Sequence, residues 1–220
     1  NGHVETIGGT LTLGSNSTTV AGSVNQIIDS AGGGVLRLGG GITYNTGAAT
    51  FHNATSNISA NLDVNGATRT FTVNDSTVAA NDVVISGVIS NSGGSAAGIA
   101  KSGTGTLVLT GANLYDGNTA VNAGVLRAAN NSALGTLGTV TLANTDAVLE
   151  LAQGVTISRA LTVSDSGNNK VLRLQDGATA ATYAGNVGIS EATAGNLMSP
   201  PVLAAHSRSQ ASSAAQRRLA

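Results

Sequence analysis

The chain has no cysteine and no tryptophan, and only 2% of its residues are aromatic. Without cysteine there are no disulfides and no thiolate metal sites, and the compartment stays open. Without large rings, which normally dominate buried area, the core must be built from many thin layers of Val, Leu, Ile and Ala. Charge is scarce as well: 10% of residues, against roughly 25% in an average soluble domain. A formal net charge of -1 gives no bulk attraction to nucleic acid or anionic lipid, so no nucleic-acid partner is expected. The prolines are Pro200 and Pro201, leaving the first 199 residues with none. That suits strands that all donate ladder hydrogen bonds. No apolar run approaches the ~18 residues of a membrane-spanning helix. The chain begins at Asn1 without a basic, apolar leader and reads as a mature or excised piece.

What the chain does have is 41% hydrophobic residues, 30 glycines and many Thr, Ser and Asn. Disorder favours low hydrophobicity with high net charge, the reverse of this composition. From Ala100 to Gly135 short apolar runs hold Leu107, Leu109, Val121 and Val125-Leu126. Gly103, Gly105, Gly111, Gly117 and Gly124 interrupt them. Such a string predicts short strands with tight turns and no helix.

Four segments look alike: Val35-Leu36-Arg37-Leu38, Val125-Leu126-Arg127, Val148-Leu149-Glu150-Leu151 and Val171-Leu172-Arg173-Leu174. The last three start at equal intervals, at Val125, Val148 and Val171. Gly9-Thr10-Leu11-Thr12-Leu13 is echoed by Gly138-Thr139-Val140-Thr141-Leu142, and Gly41-Ile42-Thr43 by Gly154-Val155-Thr156. A repeat of twenty-odd residues is the size of one coil of a right- or left-handed β-solenoid. Equivalent strands then stack ~4.8 Å apart, with alternate side chains pointing inward. That phase puts Leu149 and Leu151 inside and predicts an outward ladder of Arg127, Glu150 and Arg173. Exposed pairs of this kind contribute about 0.2–1 kcal/mol each. An antiparallel sandwich explains neither the spacing nor the shortage of aromatics. The expected fold is all-β, a parallel β-helix over residues 1–195, with roughly eight or nine coils of about 23 residues. Residues 1–95 carry the pattern irregularly, and Tyr44, Phe51 and Phe71 there predict wider coils. Residues 196–220, rich in Ala, Ser and Arg, are expected to be a disordered or capping tail.

Residues 98–135 resemble the passenger-associated strand repeat of bacterial autotransporters. Ile99, Lys101, Gly103 to Leu107, Leu109, Gly111 to Asn113, Tyr115, Gly117, Thr119, Val121, Asn122 to Gly124 and Val125-Leu126 fall into its order, as does Ala133-Leu134-Gly135. Leu114 and Asn118 depart from it, where Thr and Gly are usual. The resemblance implies a single-stranded right-handed parallel β-helix passenger. It implies export through the outer membrane by a membrane β-barrel outside this chain, to the cell surface or into the medium. The expected function is a structural and adhesive stalk, with host glycan or extracellular matrix as its partner. The repeat carries no catalytic residues, so no catalytic, metal or cofactor-binding residue is assigned and no cofactor is expected.

Other chemistry is weighed on the residues themselves. Gly32–Gly34 and Gly39–Gly41 lack the following helix that a phosphate loop needs, and read as corners. His3, His52 and His206 are far apart, with no acidic neighbour. Clustered carboxylates would make a β-helical polysaccharide lyase or hydrolase. Asp75, Asp82, Asp165 and Asp176 are the residues to inspect, although acids beside Asn, Ser or Gly usually belong to turns. Thr10/Thr12, Thr68/Thr70/Thr72, Thr104/Thr106 and Thr139/Thr141 would bind ice only if stacked at the coil spacing. The sequons at Asn16, Asn53, Asn57, Asn74 and Asn130 matter only in a eukaryotic secretory host. An uncovered solenoid end is an open sheet edge, so end-to-end self-association is expected unless residues 196–220 cover it.

Overall fold

The computed structural model describes residues 4–13, 27–29, 33–45, 55–76, 79–164 and 166–190. All regular structure among them is strand. The first coil holds β1 (Val4–Ile7), β2 (Leu11–Leu13) and β3 (Ile27–Ile28). The second holds β4 (Val35–Leu38), β5 (Ile42–Tyr44) and β6 (Ser56–Ile58), and the third β7 (Asn61–Asp63), β8 (Arg69–Val73) and β9 (Val83–Ile85). Next come β10 (Ile89–Ser90), β11 (Ile99–Ser102) and β12 (Thr106–Leu109), then β13 (Thr119–Val121) and β14 (Gly124–Ala128). Then follow β15 (Val140–Leu142) and β16 (Ala147–Leu151), and after them β17 (Thr156–Ile157), β18 (Leu161–Val163) and β19 (Val171–Leu174). β20 (Thr182–Tyr183) and β21 (Val187–Ile189) complete the described fold.

Every pairing is parallel, and each strand pairs with its equivalent one coil away. The first face stacks β1-β4-β7-β10. It continues through residues 113–115, where Leu114 and Tyr115 N–H groups donate to the Ile89 carbonyl, and resumes as β17-β20. The second face stacks β2-β5-β8-β11-β13-β15-β18-β21, eight strands, and the third stacks β3-β6-β9-β12-β14-β16-β19. The fold is a β-solenoid. Six steps carry the third face from Ile28 to Leu174, about 24 residues each on average.

The coil of about 23 residues expected from the spacing holds as an average, and coil length varies along the chain. Leu13 pairs with Tyr44, whereas Ile99 pairs with Thr119, a much shorter stretch of chain for the same turn. The regular spacing read from sequence describes β14, β16 and β19 alone, in register at Val125, Val148 and Val171. Width varies because connections between the second and third faces differ: residues 74–82 separate β8 from β9, but only 103–105 separate β11 from β12. The wider coils expected for residues 1–95 are present. The segment 35–38 misleads: it lies on the first face, whereas its look-alikes lie on the third. The echo of 41–43 by 154–156 fails likewise, since β5 and β17 are on different faces. The echo of 9–13 by 138–142 holds, with β2 and β15 on the second face.

The core is one column of thin layers. Leu107, Leu126 and Leu149 follow one another in a single inward row and are fully buried. The described rings are inside too: Tyr44, Phe71, Tyr115 and Tyr183 are all buried, and Phe51 lies outside the described residues. At roughly 25 cal/mol per Å² of buried apolar surface, many aliphatic layers replace a few aromatic anchors. The tail at 196–220 lies outside the described residues.

Candidate functional site

The predicted ladder forms. Arg127 pairs with Glu150, and Glu150 with Arg173, in the register of β14, β16 and β19. Arg127 Nε donates to Glu150 Oε1, and Arg173 Nε donates to Oε2 at 2.8 Å. The expectation of an exposed ladder is corrected at its centre. Glu150 side-chain exposure is 1%, against 14% for Arg127 and 37% for Arg173. Two guanidinium groups cover the carboxylate from neighbouring coils. Arg127 also reaches back across the coil of β12, donating through Nη1 to Asn81 Oδ1. Beneath that span Val108, paired with both Val84 and Arg127, is buried on an outward row. A partly buried two-Arg carboxylate fixes register more firmly than an exposed pair, because removing one partner strands a desolvated charge.

The acids named from sequence do not converge. Asp82 is buried; Oδ1 accepts from Ser76 N–H at 2.8 Å and Oδ2 from Thr106 N–H at 2.7 Å, tying a wide connection to the next coil. Asp75 lies exposed in that connection, its N–H donating to Thr104 Oγ1 at 3.4 Å. Asp176 is exposed on a coil further along, and Asp165 lies outside the described residues. Asp63, which sequence reasoning passed over, is the most heavily bonded acid. It accepts from Asn65 and Ser92 N–H at 2.9 Å each, from Ser92 Oγ at 2.5 Å and from Arg37 Nε at 3.0 Å. Burial pushes its pKa up, but the Ser92, Asn65 and Arg37 donors win and hold it at about 2. So weak a base is unsuited to general-base work. Among the described residues no three His or acidic residues are grouped to hold a metal ion. His3, His52 and His206 lie outside them.

The chain's two lysines are internal, another feature missed in the sequence. Lys101 is fully buried. Its Nζ donates to the carbonyls of Ser102 at 2.9 Å, Gly103 at 2.8 Å and, on the next coil, Ala123 at 3.1 Å. Burial lowers its pKa to about 8, against the pull of Asp82. Lys170 Nζ donates to the Ser166 and Gly167 carbonyls at 2.5 and 2.7 Å. Both ammonium groups satisfy carbonyls at corners joining the second and third faces. Signals were present, in Lys101-Ser-Gly and Ser-Gly-Asn-Asn-Lys170, but lysine seldom reads as core.

Amide side chains do similar work. Asn113 is buried; Oδ1 accepts from Ile89 N–H at 2.8 Å, and Nδ2 donates to the Ala133 carbonyl at 2.7 Å. One side chain therefore joins three coils where the first face lacks regular strand. Asn61, Asn91, Asn118 and Asn131 each accept a backbone N–H from a neighbouring coil. The threonine steps do not build a lattice. Thr43, Thr72 and Ser102 align on the second face. The neighbouring row reads Thr70, Ala100, Ala120, Thr141, Thr162, Gly188. Among described strands only β8 presents Thr-x-Thr, so the array an ice-binding face needs is missing from them.

The architecture is that of an extended β-solenoid whose charged groups bond from coil to coil. Within it, residues 99–128 match the passenger-associated-transport-repeat family. The matched segment runs from β11 to β14, the tightest turn of the solenoid. Comparison with curated proteins and with solved structures gives no match. The structure gives the repeat a physical sense. Lys101 clamps the corner, Leu107 and Leu109 fill the core, and Asn113 joins three coils. Tyr115 is buried with its hydroxyl 2.6 Å from Thr119 Oγ1. At Gly103 (φ 78) and Gly124 (φ 64) the corner turns left-handed, and a Cβ on Gly124 would lie 2.5 Å from the Gly103 carbonyl oxygen.

Proposed function

We propose that this chain is a structural and adhesive passenger stalk of an autotransporter-type protein, displayed on a bacterial surface or secreted. One observation carries the reading: a passenger-associated repeat forms the tightest turn of a continuous solenoid. The placement of charge supports it. Asp63, Asp82 and Glu150 are each held by donors from neighbouring coils. Carboxylates committed to such bonds are poor candidates for acid–base chemistry on a polysaccharide. The stacked ladders make a stiff rod, and half-exposed Thr on its second face, with Asn45, Asn74 and Asn122 just past those strands, offers many weak polar contacts. The translocating β-barrel is a partner outside this chain.

The isolated chain is expected to bind a subset of a glycan array or an extracellular-matrix panel. Silence across both would leave a spacer role alone. Depolymerised product from a polysaccharide panel would overturn the stalk in favour of an enzyme.

A further inference from the structure

Asn-Gly and Asp-Gly pairs are the places where a peptide chain rearranges by itself. The sequence holds Asn65-Gly66 in the middle of the rod and, further on, Asp116-Gly117. A glycine has no side chain to shield its nitrogen, so that nitrogen is free to attack the preceding side-chain carbonyl carbon. At Asn65 the new bond joins Gly66 N to Cγ, the Cγ–Nδ2 bond breaks and ammonia leaves. Water then opens the cyclic imide to aspartate or, at its other carbonyl, to isoaspartate. At Asp116 the same closure expels water and uses the protonated carboxyl.

The fold brings both pairs to one side chain. Asn65 follows β7, Asn91 follows β10, and Asp116 follows residues 113–115, so the three stack on successive coils where the first face turns into the second. Asn65 is exposed and left-handed, with φ of 53°, and Gly66 continues the turn with φ of 70°. Asn91 Oδ1 accepts the Gly66 N–H at 2.8 Å and the Gly93 N–H at 3.2 Å. Its Nδ2 donates to the Ser95 carbonyl and to Asp116 Oδ1, both at 2.8 Å. All four contacts agree with a single orientation of the amide. The Gly117 N–H is taken as well, by the Ala97 carbonyl at 3.0 Å. The Asn91 amide and the Ala97 N–H hold the Asp116 carboxyl below its usual range, away from the protonated form that closure uses.

We infer that Asn65-Gly66 is a deamidation site built into this corner, and that Asn91 governs its rate by holding the attacking nitrogen. Closure requires Gly66 to give up its hydrogen bond and the turn to rotate at Asn65. The coil above opposes both. Asn91 keeps the N–H, and Gly93 packs backbone against backbone, so close that a Cβ on it would lie 2.2 Å from Gly66 Cα. The products do not fit the corner. Isoaspartate lengthens the main chain by a carbon where no room exists. Either product places a second carboxylate two residues from Asp63, whose Oδ1 accepts the residue 65 N–H at 2.9 Å. Repulsion there weakens the tie from Asp63 to Ser92 and Arg37.

Ageing of the full chain at mildly alkaline pH tests this, with peptide mapping by mass spectrometry to resolve Asn, Asp and isoaspartate at position 65. The folded wild type is expected to react there at least about tenfold more slowly than the chain in urea. Asn91→Ala is expected to recover most of that factor. Asn113→Ala removes a bridge between coils elsewhere and should leave the rate at Asn65 near that of the wild type. The inference is overturned by a folded wild type that reacts as fast as the chain in urea, or by an Asn91→Ala chain as slow as the wild type. Equal acceleration by Asn91→Ala and Asn113→Ala also overturns it, because protection then belongs to global stability. Circular dichroism checks that each variant folds. Should one fail to fold, hydrogen exchange of the wild-type Gly66 amide decides: slow exchange upholds the guard, and exchange at the unfolded rate removes it.

Discussion

The two halves of the rod solve one problem differently. From β1 to β10 the coils are wide: Leu13 stacks on Tyr44, and Tyr44 on Val73. From β11 to β16 they are tight: Leu109 stacks on Ala128, and Val121 on Leu142. A wide coil has slack in its connection and holds it with buried acids: Asp82 ties residue 76 to residue 106, and Asp63 ties Asn65 to Ser92. A tight coil has no slack. Its corner carbonyls are satisfied by a buried lysine, and close glycine approaches occur in both halves, at Gly41 and Gly87 as at Gly103. Anionic fasteners serve where backbone N–H groups are spare, and a cationic one where carbonyls are.

The largest effect separates a covered glycine from an open one. At Gly103, φ is +78°, and a Cβ would sit 2.4 Å from the Val73 carbonyl oxygen. At Gly9, in the first wide coil, nothing lies within 4 Å of such a Cβ. Gly103→Val should cost more than about 4 kcal/mol or prevent folding, whereas Gly9→Ala should stay within about 0.5 kcal/mol. Urea titration of both variants checks this, and equal effects would erase the distinction between covered and open corners.

The ladder comes next in size. Glu150→Gln leaves Arg127 without its counter-charge in a largely covered site and should cost about 3 kcal/mol. Arg173→Ala at the more exposed end should cost under about 1 kcal/mol, since water screens that partner. A symmetric loss from the two substitutions would mean that Glu150 is less enclosed than the structure has it.

Acid and alkali should act oppositely on the two halves. Asp63 has a folded pKa of about 2, below its ordinary 3.8. Its stabilisation is complete above the ordinary value and is lost as pH falls through about 2, a loss of about 2 kcal/mol. Lys101 has a folded pKa of about 8, below its ordinary 10.5. Between those values the folded chain releases its proton first, so this group makes stability rise with pH across the window. Asp63→Asn should flatten the acid limb and Lys101→Met the alkaline one, read from unfolding midpoints against pH. A wild-type profile falling from pH 8 to 10.5, with Lys101→Met unchanged, would reverse the assignment for Lys101.

How legible this was depends on how constant the coil is. Where successive coils keep one length, Val125, Val148 and Val171 announced the period, and alternation put Arg127, Glu150 and Arg173 in one row. In the wide half the spacing differs from face to face. Thr43, Thr72 and Ser102 are stacked neighbours at nearly equal intervals, but these are longer than any interval in the tight half. Val35-Leu36-Arg37-Leu38 shows the converse, a good match on the wrong face, because any strand of this fold needs the same apolar–polar alternation. The interior polar groups were hidden for another reason. Burial of Lys101, Asn113 and Asp63 depends on backbone groups arriving from neighbouring coils, far away in sequence, and composition carries no record of those arrivals.

The smallest effect separates two tyrosines. Tyr115, in the tight half, spends its hydroxyl on Thr119 at 2.6 Å inside the core. Tyr115→Phe strands the Thr119 hydroxyl and should cost about 1 kcal/mol. Tyr183, in the terminal coil, has a buried hydroxyl with no such partner among the described residues. Removing a buried, unpaired hydroxyl relieves a desolvation penalty, so Tyr183→Phe should leave the chain unchanged or stabilise it by up to about 1 kcal/mol. The two substitutions should therefore differ in sign. Thermal midpoints of the two variants against the wild type give both numbers. If Tyr183→Phe destabilised the chain as much as Tyr115→Phe, its hydroxyl would have a partner within the chain, and the terminal coil would be finished like those beneath it.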